Sequence, residues 1–104
     1  MDFTQILDVH STRERELHDL VRTWHVEQLG VAPGYEGIRI LADRNDPTRF
    51  FIVVDFASEE RANQNNDRPE TQAWAAKLRT LVTVEPVYHS CQQVCSSYQM
   101  AANA

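Results

Sequence analysis

The sequence contains few of the residues on which several common kinds of site depend. It has only three glycines, too few for the glycine-rich loops that hold nucleotide phosphates against backbone N–H groups. Nicotinamide, flavin and ATP are therefore not expected to bind through a recognisable motif, and we expect no cofactor. Acidic residues outnumber basic ones, and the net charge of -5 argues against a nucleic-acid partner, which would need a basic stripe.

Cysteine and long apolar runs are also scarce. Cys91 and Cys95 are the only cysteines, and on an extended strand they would lie ~13 Å apart, beyond the reach of a disulfide. Free thiols fit a reducing compartment. No stretch approaches the ~20 apolar residues that cross a bilayer, and the N-terminal residues alternate like a strand instead of resembling a secretory signal. We therefore expect a cytoplasmic protein with no membrane partner.

The apolar pattern that is present predicts one domain of βαββαβ order. A chain of 104 residues is near the common size of a single domain, which we place at residues 1–98, with a flexible tail at 99–104. Alternation predicts strands at 3–10, 35–43, 49–56 and 87–98. Two helical regions lie between them, the second interrupted near residues 65–67. The order predicts a ferredoxin-like α+β fold, a four-stranded antiparallel sheet with two helices on one face.

The ends of the first helix carry specific signals. Residues Ser11 to Glu14 match a capping box, in which the serine oxygen accepts from the Glu14 amide and the glutamate reaches back. We therefore expect the helix to begin at Ser11. Gly30 follows the last residue of the apolar pattern and is expected to end the helix.

The third strand is apolar on both of its faces. It contains the run Phe50 to Val54, so Phe51 and Val53 point away from the helices if Phe50 faces them. Two helices can cover only one face of the sheet. A second copy of the sheet is the simplest cover for the other face, and we predict a face-to-face homodimer.

Three segments carry a resemblance to a known family. They are PGYEG at 33–37, DPTRF at 46–50 and VDFASEE at 54–60. In these segments, and in element order over nearly the whole chain, the sequence resembles the antibiotic biosynthesis monooxygenase family of dimeric α/β barrels. The resemblance implies a cofactor-independent monooxygenase acting on an aromatic polyketide-like molecule. The fold family also includes cyclases, isomerases and proteins of no known activity, so a polyketide cyclase or isomerase, or a non-catalytic ligand-binding accessory protein, stays open.

Several positions that carry function in the family hold other residues here. In its quinone-forming oxygenases the strand ends in a tryptophan, which matches Phe56, and the accompanying asparagine and tyrosine match Ile52 and Ala62. In haem-degrading relatives a histidine ligand lies around Trp74 or Ala75. Neither side chain can bind iron in that way, so haem is not expected.

Aromatic side chains on three elements predict a pocket. Trp24 and Trp74 lie on the two helical regions and would both face the sheet, near Phe56. Together they either pack the core or form a slot in which a planar aromatic ligand stacks. Arg39 lies in an apolar strand, where it either pairs with Asp55 or faces an anionic substrate.

Oxygenation without a cofactor requires a substrate anion that gives an electron to dioxygen, and therefore a base. Histidine is the side chain best suited to that role. His25 follows Trp24, and His89 lies in the polar fourth strand, so these two are the candidate catalytic residues. Cys91 shares a strand face with His89 and is a candidate substrate contact, but two ligands do not make a zinc site. The polar strand is either an exposed edge or the lining of a cavity or dimer seam.

Overall fold

The computed structural model describes residues 2–98. Its helices and strands follow the predicted order, with the second helical region divided in two. They are β1 (Phe3–His10), α1 (Glu14–Gln28), β2 (Tyr35–Ala42), β3 (Arg49–Phe56), α2 (Glu59–Asn66), α3 (Pro69–Leu81) and β4 (Val87–Gln92). The ferredoxin-like α+β prediction is confirmed, including the helix break after α2. The predicted tail at 99–104 lies outside the described residues. Within residues 2–98, no helix combines the length and apolar content needed to cross a membrane.

The four strands form one antiparallel sheet in the order β2-β3-β1-β4. Strands β1 and β3 are therefore central, and β2 and β4 are the edges. The register places Ile52 of β3 between Leu7 of β1 and Ile40 of β2, while Tyr88 of β4 lies opposite Leu7. Since side chains alternate between the faces of a strand, these four side chains share one face of the sheet.

The helices pack on that face. Leu17, Val21 and Trp24 recur at helical spacing along α1 and are all buried, as is Leu78 of α3. They form one cluster with the inward side chains of β1 and β3, such as Ile52. Each fully buried aliphatic side chain of this kind stabilises the fold by roughly 1.5–3 kcal/mol. The core therefore lies entirely between one face of the sheet and the helices.

The opposite face, which we call the open face, carries apolar side chains beside charged ones such as Asp8 and Arg49. Val53 is buried by its neighbours on the sheet, whereas Phe51 is half-buried under the guanidinium of Arg49, which lies 5.0 Å from the ring centroid. Leu41, opposite Phe51, and Val87 at the edge are exposed. Among the described residues, all three helices lie on the other side of the sheet. The outward residues Phe51 and Val53 of β3 thus lie on the open face, as the sequence predicted.

The predicted capping box at Ser11 is wrong. Helix α1 begins at Glu14, with Arg13 as its N-cap residue and no side-chain capping bond. The Ser11 hydroxyl instead donates to the backbone oxygen of Leu81 at 2.6 Å and accepts from the Arg13 amide at 3.0 Å. The buried serine therefore joins the end of β1 to the end of α3. The other end of α1 is as predicted, because Gly30 has a positive φ of 82°, which glycine adopts without strain.

The fourth strand is shorter than predicted, because it ends at Gln92 instead of residue 98. Within residues 2–98 its only neighbour is β1, and their pairing runs from Asp8 opposite Val87 to Phe3 opposite Gln92. Since β1 begins at Phe3, residues beyond Gln92 have little strand left with which to pair. All six residues of β4 are exposed in the single chain, as on an edge strand, and Tyr88 and Ser90 of this strand also line a cavity.

Candidate functional site

A cavity of about 330 Å³ lies between the helix-covered face of the sheet and the helices. Its size is at the lower end of the range for small-molecule sites, roughly 300–1,000 Å³. Trp24, Phe56 and Trp74 all line it, and Trp24 and Phe56 also belong to the buried core, with 6% and 1% of their surface exposed. Leu7, Ile38, Val54 and Ala75 complete the apolar part of the lining. The walls can therefore enclose a flat apolar ring system.

Local sequence explains how the three aromatic side chains reach this cavity. Trp24 lies seven residues after Leu17 on the buried side of α1. Trp74 lies one turn before Leu78 on α3. Phe56 is the last residue of β3 on the helix-covered face. The Trp74 indole N–H donates to the backbone oxygen of Leu20 at 3.2 Å. The two indole centroids lie 5.7 Å apart with a tilt of 55°, a separation typical of interacting aromatic pairs.

One charged residue contributes to the lining, and it is a cation. Arg79 reaches the cavity from the last turns of α3 and lies 3.4 Å from the Glu85 carboxylate in a half-exposed pair, which is a weak kind of interaction. The remaining lining residues are uncharged and polar: Gln5, Asn65, Asn66, Thr71, Gln72, Tyr88 and Ser90. A guanidinium beside an apolar slot can stabilise an anionic aromatic through charge-assisted hydrogen bonds.

Sequence reasoning missed most of this polar lining. Asn65 is the clearest case, because it is 3% exposed, lines the cavity and accepts hydrogen bonds from Arg68 and Thr71 at 3.2 and 3.1 Å. The signal that could have revealed it is the break between two helices, where Asn65 accepts from one side chain in the break and from one in the helix that follows. Arg79 had no comparable signal, since a charged residue on a helix normally faces solvent.

His25 lies beside the aromatic cluster but does not line the cavity. Its Nδ1 is 2.7 Å from the hydroxyl of Tyr35. Burial, assisted by the charge of Asp55, raises the pKa of Tyr35 to about 12. The phenol therefore stays protonated and can donate to a neutral imidazole. The imidazole lines a shallow groove along β2 together with Arg39. A base at His25 would act in that groove, unless the ligand extends beyond the cavity.

His89 and Cys91 lie on the open face of the sheet. In the register His89 is opposite Ile6 and Cys91 is opposite Thr4. The alternate residues of the same strand, Tyr88 and Ser90, are the ones that line the cavity. The structure thus brings His89 and Cys91 together with each other but not with the aromatic slot. Their proposed roles in catalysis and binding stay predictions.

Arg39 does not form the expected ion pair with Asp55 within residues 2–98. It lies opposite Val53 on the edge strand and its side chain is exposed. Asp55 instead accepts a hydrogen bond from the Thr4 hydroxyl at 2.7 Å. The pairing prediction is wrong because Asp55 is satisfied across the β1–β3 ladder, on the side away from β2.

Comparison with known proteins agrees with this fold. The antibiotic biosynthesis monooxygenase family model matches residues 5–77, and the chain belongs to that family. Among curated proteins, none matches the sequence.

Solved structures of several proteins share the architecture. A candidate antibiotic biosynthesis monooxygenase from Bordetella bronchiseptica is 18% identical, with a TM-score of 0.78 over 90% of this chain and 98% of that chain. A similar candidate from Chloroflexus aurantiacus is 20% identical, with a TM-score of 0.68 over 92% and 96% of the two chains. SnoaB, a cofactor-independent oxygenase from Streptomyces nogalater, is 12% identical, with a TM-score of 0.75 over 92% and 96%. At these identities the likeness shows the fold alone.

Proposed function

We propose that the protein binds a planar, acidic, polyketide-like aromatic molecule in the cavity and oxidises it with dioxygen, without a cofactor. The observation that carries this proposal is the convergence of Trp24, Phe56, Trp74 and Arg79 on one cavity. The aromatic side chains offer stacking surfaces, and the guanidinium favours a ligand whose ring oxygen or carbon carries negative charge. Family membership supports monooxygenase-like chemistry in such a site.

The chemistry follows from what the anion of such a substrate can do. A hydroxyanthrone loses a proton from its ring CH₂ group, and the cation of Arg79 stabilises the anion. The anion gives one electron to dioxygen, and the two radicals combine to form a C–O bond. The resulting peroxide takes up a proton and eliminates water, which leaves a carbonyl group. One oxygen atom enters the product and the other leaves as water. The apolar walls exclude solvent, which strengthens the interaction between Arg79 and the anion.

The proton acceptor is the part of the site that decides between catalysis and binding. No histidine, cysteine, aspartate or glutamate is among the residues from 2 to 98 that line the cavity. A substrate that is already acidic can lose its proton to water when Arg79 stabilises its anion. A less acidic ligand would be bound and left unchanged. This observation favours a second candidate function, a non-catalytic ligand-binding accessory protein.

We also propose that the protein is a homodimer that buries the open face. Leu41 on the edge strand β2 is 43% exposed beside half-buried Phe51, and Val87 on the opposite edge strand is exposed. Exposed apolar side chains on one face of a sheet favour contact with another molecule. An equivalent sheet related by a twofold axis would cover this face with matching side chains.

The test uses Arg79→Gln, which removes the charge from the cavity and retains a polar side chain. We expect the hydroxyanthrone dithranol to quench tryptophan fluorescence of the wild-type protein and to be oxidised faster in its presence, measured as oxygen uptake. A lost charge-assisted hydrogen bond of about 1.5–3 kcal/mol corresponds to roughly a ten- to hundredfold loss in affinity or turnover. Arg22→Gln, on the exposed face of α1, is the matched control.

The outcomes separate the two candidate functions. Quenching with accelerated oxygen uptake supports the oxygenase. Quenching without oxygen uptake, across several hydroxyanthrones, supports the accessory protein. The absence of both would overturn the assignment of this cavity as the functional site.

A further inference from the structure

The side-chain amide of Asn65 has an orientation that its neighbours determine. Asn65 lies in the last turn of α2, and its Oδ1 is 3.2 Å from Nη1 of Arg68 and 3.1 Å from the hydroxyl of Thr71. The oxygen and nitrogen of an amide are assigned from such contacts. A guanidinium has donors only, so the atom that faces Arg68 must be the amide oxygen. The amide nitrogen therefore lies on the other side of the group.

That nitrogen is a hydrogen-bond donor, and neither Arg68 nor Thr71 uses it. Among residues 2–98, the side-chain bonds of Asn65 are both made by Oδ1. The same residues contain no fully buried side-chain nitrogen or oxygen that lacks a partner. Nδ2 therefore keeps some accessible surface, although Asn65 as a whole is 3% exposed. Because Asn65 lines the cavity, a ligand in the cavity is the partner that this donor can meet.

The partner of Asn65 is itself held in place from a third element. Nη1 of Arg68 also donates to Oε1 of Gln28 at 2.9 Å, and Gln28 is the buried last residue of α1. Nη2 of Arg68 lies 3.2 Å from Glu70 at the start of α3. One guanidinium thus joins the ends of three helices at a wall of the cavity. A donor supported in this way keeps its direction when a ligand arrives.

We infer that Asn65 is a ligand-binding residue whose Nδ2 donates a hydrogen bond to an oxygen atom of the cavity's ligand, and that Arg68, supported by Gln28, is its positioning residue. The inference rests on the proposed function and narrows its ligand class to aromatics that carry a carbonyl or phenolate oxygen. A fixed donor favours such an oxygen most when it carries negative charge. An aromatic hydrocarbon of the same shape gains nothing from it and leaves the donor unpaired.

The test replaces the donor without disturbing its support. In Asn65→Asp one carboxylate oxygen still accepts from Arg68 and Thr71, while the other stands where the Nδ2 donor was. Asn63→Asp is the matched control, because Asn63 is exposed on the same helix and the charge change is identical. The probe is alizarin, a hydroxyanthraquinone whose colour reports whether its phenol is ionised. Thermal melting of each variant without ligand shows whether the fold is retained.

Wild-type protein and Asn63→Asp should bind alizarin equally and stabilise its phenolate. Asn65→Asp should bind it about ten- to hundredfold more weakly, and the pH at which the bound dye ionises should rise. Binding of anthracene, which has no oxygen, should be the same in all three proteins. The comparison with anthracene is valid even if Asn65→Asp has a lower melting temperature, because a general distortion of the cavity would weaken the binding of both ligands.

The positioning role is tested at Arg68. Arg68→Met removes both bonds to the amides, so the bound dye should ionise at a pH between those of wild type and Asn65→Asp. Arg68→Lys keeps one donor and should restore part of the shift, which a merely structural role would not do.

Two results would separate a failure of the inference about Asn65 from a failure of the proposed function. If wild type binds alizarin and Asn65→Asp binds it with equal affinity, the inference about Asn65 is wrong while the cavity still binds aromatics. If wild type binds neither alizarin nor anthracene, the proposed function is wrong and this inference with it.

Discussion

Replacing Trp74 by phenylalanine would separate the two roles of this side chain, core packing and ligand contact. Trp74 is half-buried on α3, and its indole N–H donates to the Leu20 backbone oxygen at 3.2 Å. The substitution removes that bond, worth about 0.5–1.5 kcal/mol, and part of a ring that is only partly buried. We expect a total loss of about 1–2 kcal/mol in unfolding free energy, less than the ~3–5 kcal/mol of a tryptophan-to-alanine change in a core. For a domain of this size, each kcal/mol lowers the Tm by about 4–8 °C.

The same substitution should leave the ligand site largely intact. Phenylalanine keeps a flat ring at this wall of the cavity, and aromatic pairs are worth only about 0.5–1.5 kcal/mol beyond their buried area. Affinity for alizarin should therefore fall by no more than about tenfold. Trp24 becomes the only tryptophan in the variant, and since it lines the same cavity, its fluorescence should still be quenched by the ligand.

The measurements are a thermal melt, a calorimetric titration and a fluorescence titration of each protein. Tyr98→Phe, at a position 88% exposed, is a control that should change none of them. Calorimetric binding of alizarin to Trp74→Phe without quenching of Trp24 would refute the reasoning, because the ligand would then lie outside this cavity. A decrease in Tm as large as that expected from replacing a fully buried tryptophan would show that Trp74 mainly packs the core.

Two further predictions concern the open face. Leu41→Lys places a charge on a side chain that is 43% exposed in the single chain. The variant subunit should therefore stay folded, and a homodimer should be reduced to a 12.0 kDa species in sedimentation. Val26→Lys, at an exposed position of α1, is the control, and an unchanged dimer in Leu41→Lys would contradict the proposal. Arg49→Met removes the two hydrogen bonds of 3.0 and 2.6 Å to Asp8, which hold the pKa of that carboxyl below its usual range. The ionised Asp8 carboxylate therefore stabilises the folded protein at pH values above the pKa that it has in the unfolded chain, and this stabilisation is lost as pH falls through the lower pKa of the folded state. The Tm difference between wild type and Arg49→Met should be largest near neutrality and should shrink in acid. A Tm difference that does not depend on pH would argue against this role of Asp8.

Sequence by itself determined the order and type of the elements, because these depend on local periodicity. The helical spacing of Leu17, Val21 and Trp24 and the apolar run of β3 required no knowledge of their partners. The same periodicity showed that Trp24 and Trp74 face the sheet, and the family resemblance agrees with the matched family model. Errors arose where a local motif had a distant competitor. The Ser11 hydroxyl matched a helix cap but is used by the backbone of Leu81, 70 residues away in the chain.

Only the tertiary structure decided which polar side chains share the cavity with the aromatic ones. Alternation shows that His89 and Cys91 lie on one face of β4, but which face depends on the register with β1. A shift of one residue would exchange them with Tyr88 and Ser90. Asn65 gains its direction from Arg68, and Arg68 from Gln28 on another helix. Such contacts form only when distant segments pack together, so no local pattern in the sequence specifies them.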